Sequence, residues 1–189
     1  MKEFSDKIKR MLLLNECGGD ESLIYKFSDA DGVRTGRSGY SYGVSQFDIE
    51  NNWDAIETLR DCGITPKELK RLFIQSTEVD DLNDKLLINC DFVDEADDLH
   101  VQEMILRCDC FHAIEDELTL AMIIDYHNQL RFDITGKLYN YITDRLNEGK
   151  TITARGIYNF KLNNTLWGRK RPDDVDRRYK NTLEVFKND

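Results

Sequence analysis

Proline is nearly absent from this sequence, and the cysteine patterns that would assign a metal site or a disulfide scaffold are missing too. Two prolines and eleven glycines in 189 residues leave no linker-rich segment, so we expect one domain spanning residues 1–189. The five cysteines include no C-x-x-C pair. That spacing predicts reduced thiols rather than a zinc site or a disulfide framework. No metal and no cofactor are expected.

Basic residues are fewer than acidic ones. The chain has 26 lysines and arginines against 36 acidic residues, a formal net charge of −10, which argues against nucleic acid or an anionic membrane surface as its main partner. The apolar run at residues 11–14 is far too short to span a bilayer. The N-terminal residues carry acids instead of an apolar signal segment. We therefore expect synthesis in the cytoplasm without a signal peptide, no membrane insertion and a monomer.

Helical periodicity dominates what is present. Phe4, Ile8 and Met11 fall on one face, so residues 3–16 are predicted to form a helix with a single apolar stripe. The pair Gly18-Gly19 is expected to end it, because glycine takes the left-handed conformation that helix ends use.

A small β element is predicted after this helix. Residues 22–28 are short and aromatic enough for a strand, and together with the following glycines they predict a β-hairpin near residues 22–48. From residue 51 onward the pattern is helical, including a long run over residues 97–130 that could be one helix or two. The predicted fold class is therefore mostly α (α+β).

The most unusual stretch runs from Gly36 to Asp48. Its glycines allow close backbone approach, and its alternating aromatic residues, Tyr40 and Tyr42 among them, favour extended structure. Gln46 and Asp48 are two residues apart, so on an extended segment their side chains would share one face and could line a cleft wall. A glycine-rich hairpin with a buried edge is the alternative.

Glu16 is a candidate general acid. It lies four residues after Leu12, so it continues the apolar stripe of the first helix at its last turn. Burial there would raise its pKa, and the negative end of the helix dipole would also favour the protonated form. The alternative is a solvated glutamate at a frayed helix end. Glu21 is the competing acid, and its position at the start of the next segment favours exposure.

Two motifs together resemble the lysozyme-like superfamily, which includes phage endolysins, goose-type lysozymes and lytic transglycosylases. Residues Met11–Glu16 are similar to the first-helix end that carries the catalytic glutamate in many phage lysozymes. Residues Gly43–Asp48 are similar to the second half of a goose-type segment of the form Gly-x-Gly-aromatic/Leu-x-Gln-x-Asp. The dipeptide Glu21-Ser22 matches the goose-type Glu-Ser signature, so Glu21 stays an alternative to Glu16 as the acid.

The resemblance implies a lysozyme-like domain that cleaves the MurNAc-β-1,4-GlcNAc bond of peptidoglycan, as a muramidase or a lytic transglycosylase. Glu16 would protonate the glycosidic oxygen, and Asp48 would hold the attacking water. Tyr40 and Tyr42 would stack on sugar faces. Gln46 would bind an N-acetyl carbonyl.

A third and shorter match lies near residue 126. The segment Asp125-Tyr126-His127-Asn128-Gln129 resembles the Tyr-Asn motif through which transglycosylases contact an N-acetyl sugar and the catalytic glutamate. It implies that Tyr126 and Asn128 bind substrate. The alternative is that Tyr126 is a plain core residue.

Two other functions stay open. Chitosanase-like glycosidases also pair an early glutamate with a glycine-rich segment and an aspartate, and their polycationic substrate suits a charge of −10. A lysozyme-like fold can also serve as a non-catalytic binding or structural module. For the peptidoglycan enzyme, holin-type release from a phage-infected cell or export as an effector would bring the protein to the cell wall.

Overall fold

The computed structural model describes residues 2–29, 39–74, 78–111 and 113–187. Within these residues the chain forms ten α-helices and one three-stranded antiparallel sheet. The prediction of a mostly helical α+β chain is therefore confirmed. The first residues of the Gly36–Asp48 stretch lie outside the described residues.

The elements follow one another along the chain with short connections. The helices are α1 (Lys2–Cys17), α2 (Trp53–Asp61), α3 (Pro66–Phe73), α4 (Asp80–Ile88), α5 (Cys90–Cys108), α6 (Glu117–Leu130), α7 (Lys137–Asn147), α8 (Ala154–Asn164), α9 (Leu166–Lys170) and α10 (Pro172–Lys187). The strands are β1 (Ser28–Asp29), β2 (Tyr40–Tyr42) and β3 (Phe47–Asp48).

The chain divides into two compact units. The sheet unit comprises Glu16–His100, and the helical unit comprises Met1–Asn15 together with Val101–Asp189. The long run predicted over residues 97–130 is interrupted between α5 and α6, so it belongs to two helices.

The sheet unit is organised around the central strand β2. Ser41 pairs with Ser28 of β1 on one side and with Asp48 of β3 on the other, both antiparallel. Every residue of β2 is buried, as expected for a central strand covered on both faces. Buried residues of α2, α3 and α4 complete this core.

The strand predicted over residues 22–28 is wrong for most of its length. A 3₁₀ helix, Glu21–Leu23, occupies its beginning, and only Ser28 belongs to a strand. The Asp20 side chain accepts a hydrogen bond from the Ser22 N–H at 2.9 Å. This capping bond favours a helical turn over an extended segment.

The helical unit is built around α6. Its residues 121–126 are consecutively buried, which is typical of a helix surrounded by others rather than one lying at a surface. Helices α8 and α10 both pack against it.

Candidate functional site

Glu16 lies in the last turn of α1, and its side chain is half-buried. Leu12, four residues earlier, is completely buried, so Glu16 continues the buried stripe as the sequence predicted. Gly18 and Gly19 follow with φ values of +64° and +84°. These left-handed conformations end the helix directly after the candidate acid.

Glu21 occupies a different environment. It is exposed and opens the 3₁₀ helix Glu21–Leu23, whose N-cap is Asp20. A general acid needs an apolar setting to keep its proton near neutral pH. Of the two glutamates, Glu16 is the less exposed.

Gln46 joins three elements of the sheet unit. Its Nε2 donates to the Gly43 carbonyl at 3.0 Å and contacts the Cys17 Sγ at 3.7 Å, while its Oε1 accepts from the Ser28 hydroxyl at 2.5 Å. Its backbone φ is +52°, an uncommon conformation for a residue other than glycine. Through Gln46 the Gly43–Gln46 turn, which links β2 to β3, is attached to the end of α1.

Cys17 stands between Gln46 and Glu16. Burial, together with the nearby carboxylates of Glu16 and Asp97, raises the pKa of its thiol to about 11. The thiol is therefore protonated at neutral pH and acts as a small apolar neighbour of the candidate acid, not as a nucleophile.

Asp97 of α5 lies beneath the same turn and is only 2% exposed. Its Oδ2 accepts the Val44 N–H at 2.8 Å, and its Oδ1 accepts the Ser45 N–H at 3.1 Å. Burial raises the pKa of this carboxyl to about 6, although these hydrogen bonds act in the opposite direction.

Asp48 is tied to the backbone around it. Its Oδ1 accepts from the N–H groups of Gly39 and Glu50, each at 2.9 Å, and its Oδ2 accepts from the Asn51 amide at 2.6 Å. These bonds join the end of β3 to the segment before α2. To hold a water as predicted, Asp48 would have to use the lone pairs of its two carboxylate oxygens that these three hydrogen bonds leave unoccupied.

The three tyrosines predicted to contact sugar lie in hydrophobic cores. Tyr40 and Tyr42 are 7% and 0% exposed, and the Tyr42 hydroxyl donates to the Ala55 carbonyl at 2.6 Å. Tyr126 is 8% exposed and packs near Phe160 in the helical unit. These rings are used in packing, which leaves little surface for contact with a sugar. Stacking by Tyr40 and Tyr42 and substrate contact by Tyr126 stay predictions that this burial disfavours.

Asn128 lies in the last turns of α6 and is half-buried. Like Tyr126 it belongs to the helical unit, whereas Glu16, Glu21, Gln46 and Asp48 belong to the sheet unit.

The same segment of α6 supplies a buried charge that the sequence did not reveal. Asp125 is 0% exposed and is bonded to Lys161 of α8 at 2.7 Å and to Arg178 of α10 at 2.7 Å. Burial alone would raise its pKa, but the two cations hold the pKa far below its ordinary value. The Asn15 amide also donates to Asp125 at 2.9 Å, which anchors α1 one residue before the candidate acid.

Asp97 could have been found from the sequence, whereas Asp125 and its partners could not. Asp97 lies four residues from both Val93 and Val101, which are completely buried, so helical spacing places it on the inner face of α5. The partners of Asp125 are 36 and 53 residues away along the chain, and no local pattern connects them.

Two kinds of feature are absent from the residues that the structure describes. No group of three or more His, Cys, Asp or Glu side chains within them is arranged to hold a metal ion. No helix there has the length and apolar character needed to cross a bilayer. No protein-family model, curated protein or solved structure matches the chain.

Proposed function

We propose that this protein cleaves peptidoglycan glycan strands at the MurNAc-β-1,4-GlcNAc bond, with Glu16 as the general acid. The position of Glu16 carries the proposal. It is half-buried in the last turn of α1 and directly precedes Cys17, which contacts Gln46 of the Gly43–Gln46 turn. A half-buried carboxyl at a helix end, next in the chain to a residue that contacts a glycine-containing turn, is a position that suits a glycosidase proton donor.

In the proposed reaction, Glu16 gives its proton to the glycosidic oxygen while the C1–O bond breaks through an oxocarbenium-like state. If water then attacks C1, the new end is a reducing MurNAc. If the C6 hydroxyl of the same muramoyl residue attacks, the new end is a 1,6-anhydro sugar. In both routes the attacking group returns a proton to Glu16. Asp48 has three hydrogen bonds from its own chain, so its capacity to hold the water is limited.

The first test compares Glu16→Gln with Glu21→Gln. Both changes remove one carboxyl and keep the shape of the side chain. We expect Glu16→Gln to slow the clearing of a peptidoglycan suspension by about 10²–10⁴-fold, the usual contribution of a general acid. Glu21→Gln should retain activity because Glu21 is exposed. If both variants remain active, Glu16 is not the acid.

A chitosanase-like activity is the second candidate, and the distribution of charge favours it. The sheet unit holds 20 acidic and 8 basic residues, a net charge of −12, whereas the helical unit holds 16 acidic and 18 basic residues. The unit that contains Glu16 would attract polycationic chitosan and repel an anionic wall. Loss of chitosan viscosity without clearing of peptidoglycan would select this candidate. A wild type inactive on both would indicate a non-catalytic module.

The proposed site of action is the cell wall, reached by release through a holin pore or by export as an effector. A lysis assay with and without a coexpressed holin separates the two routes. Lysis that requires the holin supports release as an endolysin.

A further inference from the structure

Asp97 is a buried carboxylate whose partners are backbone amides. The N–H groups of Val44 and Ser45 are consecutive in the chain, and each points at one oxygen of Asp97, at 2.8 and 3.1 Å. Both residues are buried. Without this carboxylate their N–H groups would lose acceptors in a place that water does not reach freely, which is costly.

The turn that Asp97 holds is conformationally demanding. Gly43 has a φ of +77°, and a Cβ added to it would lie 3.0 Å from Oδ2 of Asp97. Gln46, at the other end of the turn, has a φ of +52° without being glycine. Such a conformation persists only where the surroundings enforce it. Asp97 contributes two hydrogen bonds to this enforcement.

The Gly43–Gln46 turn also contacts the residue next to the candidate acid. The Gln46 Nε2 contacts Cys17 at 3.7 Å, and Cys17 directly follows Glu16. We propose that Asp97 is a positioning residue for the candidate site, because its carboxylate fixes the Gly43–Gln46 turn and the turn fixes the end of α1. The part of this inference that concerns catalysis rests on the proposed function.

The hydrogen bonds by which Asp97 holds the Gly43–Gln46 turn are expected to depend on pH. Asp94 on the same helix, Cys17 on α1, Tyr25 on the segment before β1 and Tyr42 on β2 interact electrostatically with Asp97. His100 lies three residues after Asp97 on α5, and its ring packs against Phe47 of β3 at a centroid distance of 5.0 Å. Burial raises the pKa of Cys17, Tyr25 and Tyr42, so all three are neutral at pH 5–8.

Asp94, Cys17, Tyr25 and Tyr42 supply no positive charge to the carboxylate, whereas His100 is a group that can gain one on acidification, so the NMR titration also follows the His100 ring protons to separate the two titrations. Because burial raises the pKa of Asp97 to about 6, its carboxyl gains a proton just below neutral pH. The protonated oxygen is a poorer acceptor, and the turn is then held less firmly. We therefore expect activity to rise with pH around pH 6.

The test uses the wild type, Asp97→Asn and the control Asp94→Asn. Asp94 lies on the same helix and accepts from the Tyr25 hydroxyl instead of from the N–H groups of Val44 and Ser45, so the control removes the same charge without removing the acceptors of those two N–H groups. Amide resonances are followed by ¹⁵N NMR from pH 4.5 to 8. In the wild type, the Val44 and Ser45 N–H signals should titrate together with a midpoint near 6, accompanied by the Gln46 side-chain amide.

In Asp97→Asn this shared titration should disappear, and amide exchange at Val44 and Ser45 should become at least tenfold faster at pH 7. Asp94→Asn should keep the shared titration and the slow exchange, with the midpoint moved to lower pH because the Asp94 carboxylate raises the pKa of Asp97. On the substrate that the wild type cleaves, Asp97→Asn should lower kcat about tenfold with KM changed less than twofold. The activity of Asp97→Asn should no longer fall as the pH is lowered through about 6.

Each contrary result has its own meaning. If the Val44 and Ser45 signals of the wild type do not titrate near pH 6, the claim that Asp97 holds the turn is overturned. This result needs only the wild type, so it stands even if Asp97→Asn fails to fold. A normal kcat and pH profile in Asp97→Asn, despite faster exchange, would overturn the positioning role. A wild type without glycan-cleaving activity would overturn the proposed function and the catalytic role together, while the amide titration would still decide whether Asp97 holds the turn.

Discussion

Gly43 is the residue at which the close approach of backbone and carboxylate can be tested directly. Replacing it with alanine adds a Cβ 3.0 Å from Asp97 Oδ2 and 3.0 Å from the Phe47 ring, at a φ of +77°. The conformation alone costs about 1 kcal/mol for a residue with a Cβ. The two close contacts add to it, and we expect Gly43→Ala to lower the free energy of unfolding by about 2–4 kcal/mol.

Gly63→Ala is the matched control for that change. Gly63 has nearly the same φ, +75°, but nothing lies within 4 Å of the added Cβ. This variant should lose only the conformational part, about 1 kcal/mol. Urea unfolding of both variants measures the difference. Equal losses would mean that the turn can move away from Asp97.

Asp97 should also make the free energy of unfolding depend on pH. The direction is opposite to that of activity, because stability should fall as pH rises whereas activity should increase. Its pKa is about 6 in the folded protein against an ordinary value of 3.8, so folding disfavours the ionised form. Stability is therefore lost as pH rises from about 4 to 6, by about 3 kcal/mol at 1.4 kcal/mol per unit. Urea unfolding at pH 4, 5, 6 and 7 should show this loss in the wild type relative to Asp97→Asn. A constant difference between the two proteins would contradict it.

At the scale of elements, one buried carboxylate connects three helices. Asp125 of α6 is bonded to Lys161 of α8 and Arg178 of α10, and all three are at most 2% exposed. Two buried cations therefore share one buried anion. Removing the anion takes away the carboxylate to which both cations are bonded, and the half-buried Asp174, which also interacts with both electrostatically, compensates only part of their charge. Removing one cation leaves a balanced pair.

This imbalance predicts an order of stabilities. Asp125→Asn should lower the free energy of unfolding by about 3–5 kcal/mol, the usual cost of breaking a buried ion pair. Lys161→Met should cost less than half as much, because Asp125 keeps Arg178. Thermal or urea unfolding measures both. A larger loss for Lys161→Met would show that the lysine, and not the excess positive charge, governs this cluster.

Helix ends were predictable because they depend on neighbouring residues. Gly18-Gly19 ends α1, and Thr65 caps α3, where the Thr65 N–H donates to the Glu68 carboxylate at 2.8 Å. The strand predicted over residues 22–28 failed because a side-chain cap at Asp20 competes with extended structure.

The candidate site was predictable only in part. The half-buried position of Glu16 follows from its spacing after Leu12, which is a local pattern. The contact of Gln46 with Cys17 joins residues 29 positions apart, and no periodicity indicates it. The sequence leaves the role of Tyr40 and Tyr42 open, because an alternating aromatic strand suits both the wall of a sugar-binding groove and a hydrophobic core. Only the packing of the sheet unit distinguishes the two.

At the scale of the whole molecule, the uneven distribution of charge is the feature that most clearly distinguishes a polycationic substrate from a polyanionic one. The net charge of −12 on the sheet unit accompanies the candidate acid, so a polyanionic wall has to be approached against electrostatic repulsion. Peptidoglycan cleavage is nevertheless the reaction that we propose, from the position of Glu16 at the end of α1 and its resemblance to lysozyme-like acids. The identity of the cleaved bond therefore has to be read from products, since charge and fold do not specify it.

Mass spectrometry of purified peptidoglycan incubated with the wild type, Glu16→Gln or Glu21→Gln identifies the cleaved bond and the acid together. We predict that the wild type and Glu21→Gln release fragments ending in MurNAc, either reducing or 1,6-anhydro, and that Glu16→Gln releases at least about 10²-fold less. Absence of such fragments from the wild-type digest, or their undiminished release by Glu16→Gln, would contradict the assignment of Glu16 as the acid of a peptidoglycan-cleaving enzyme.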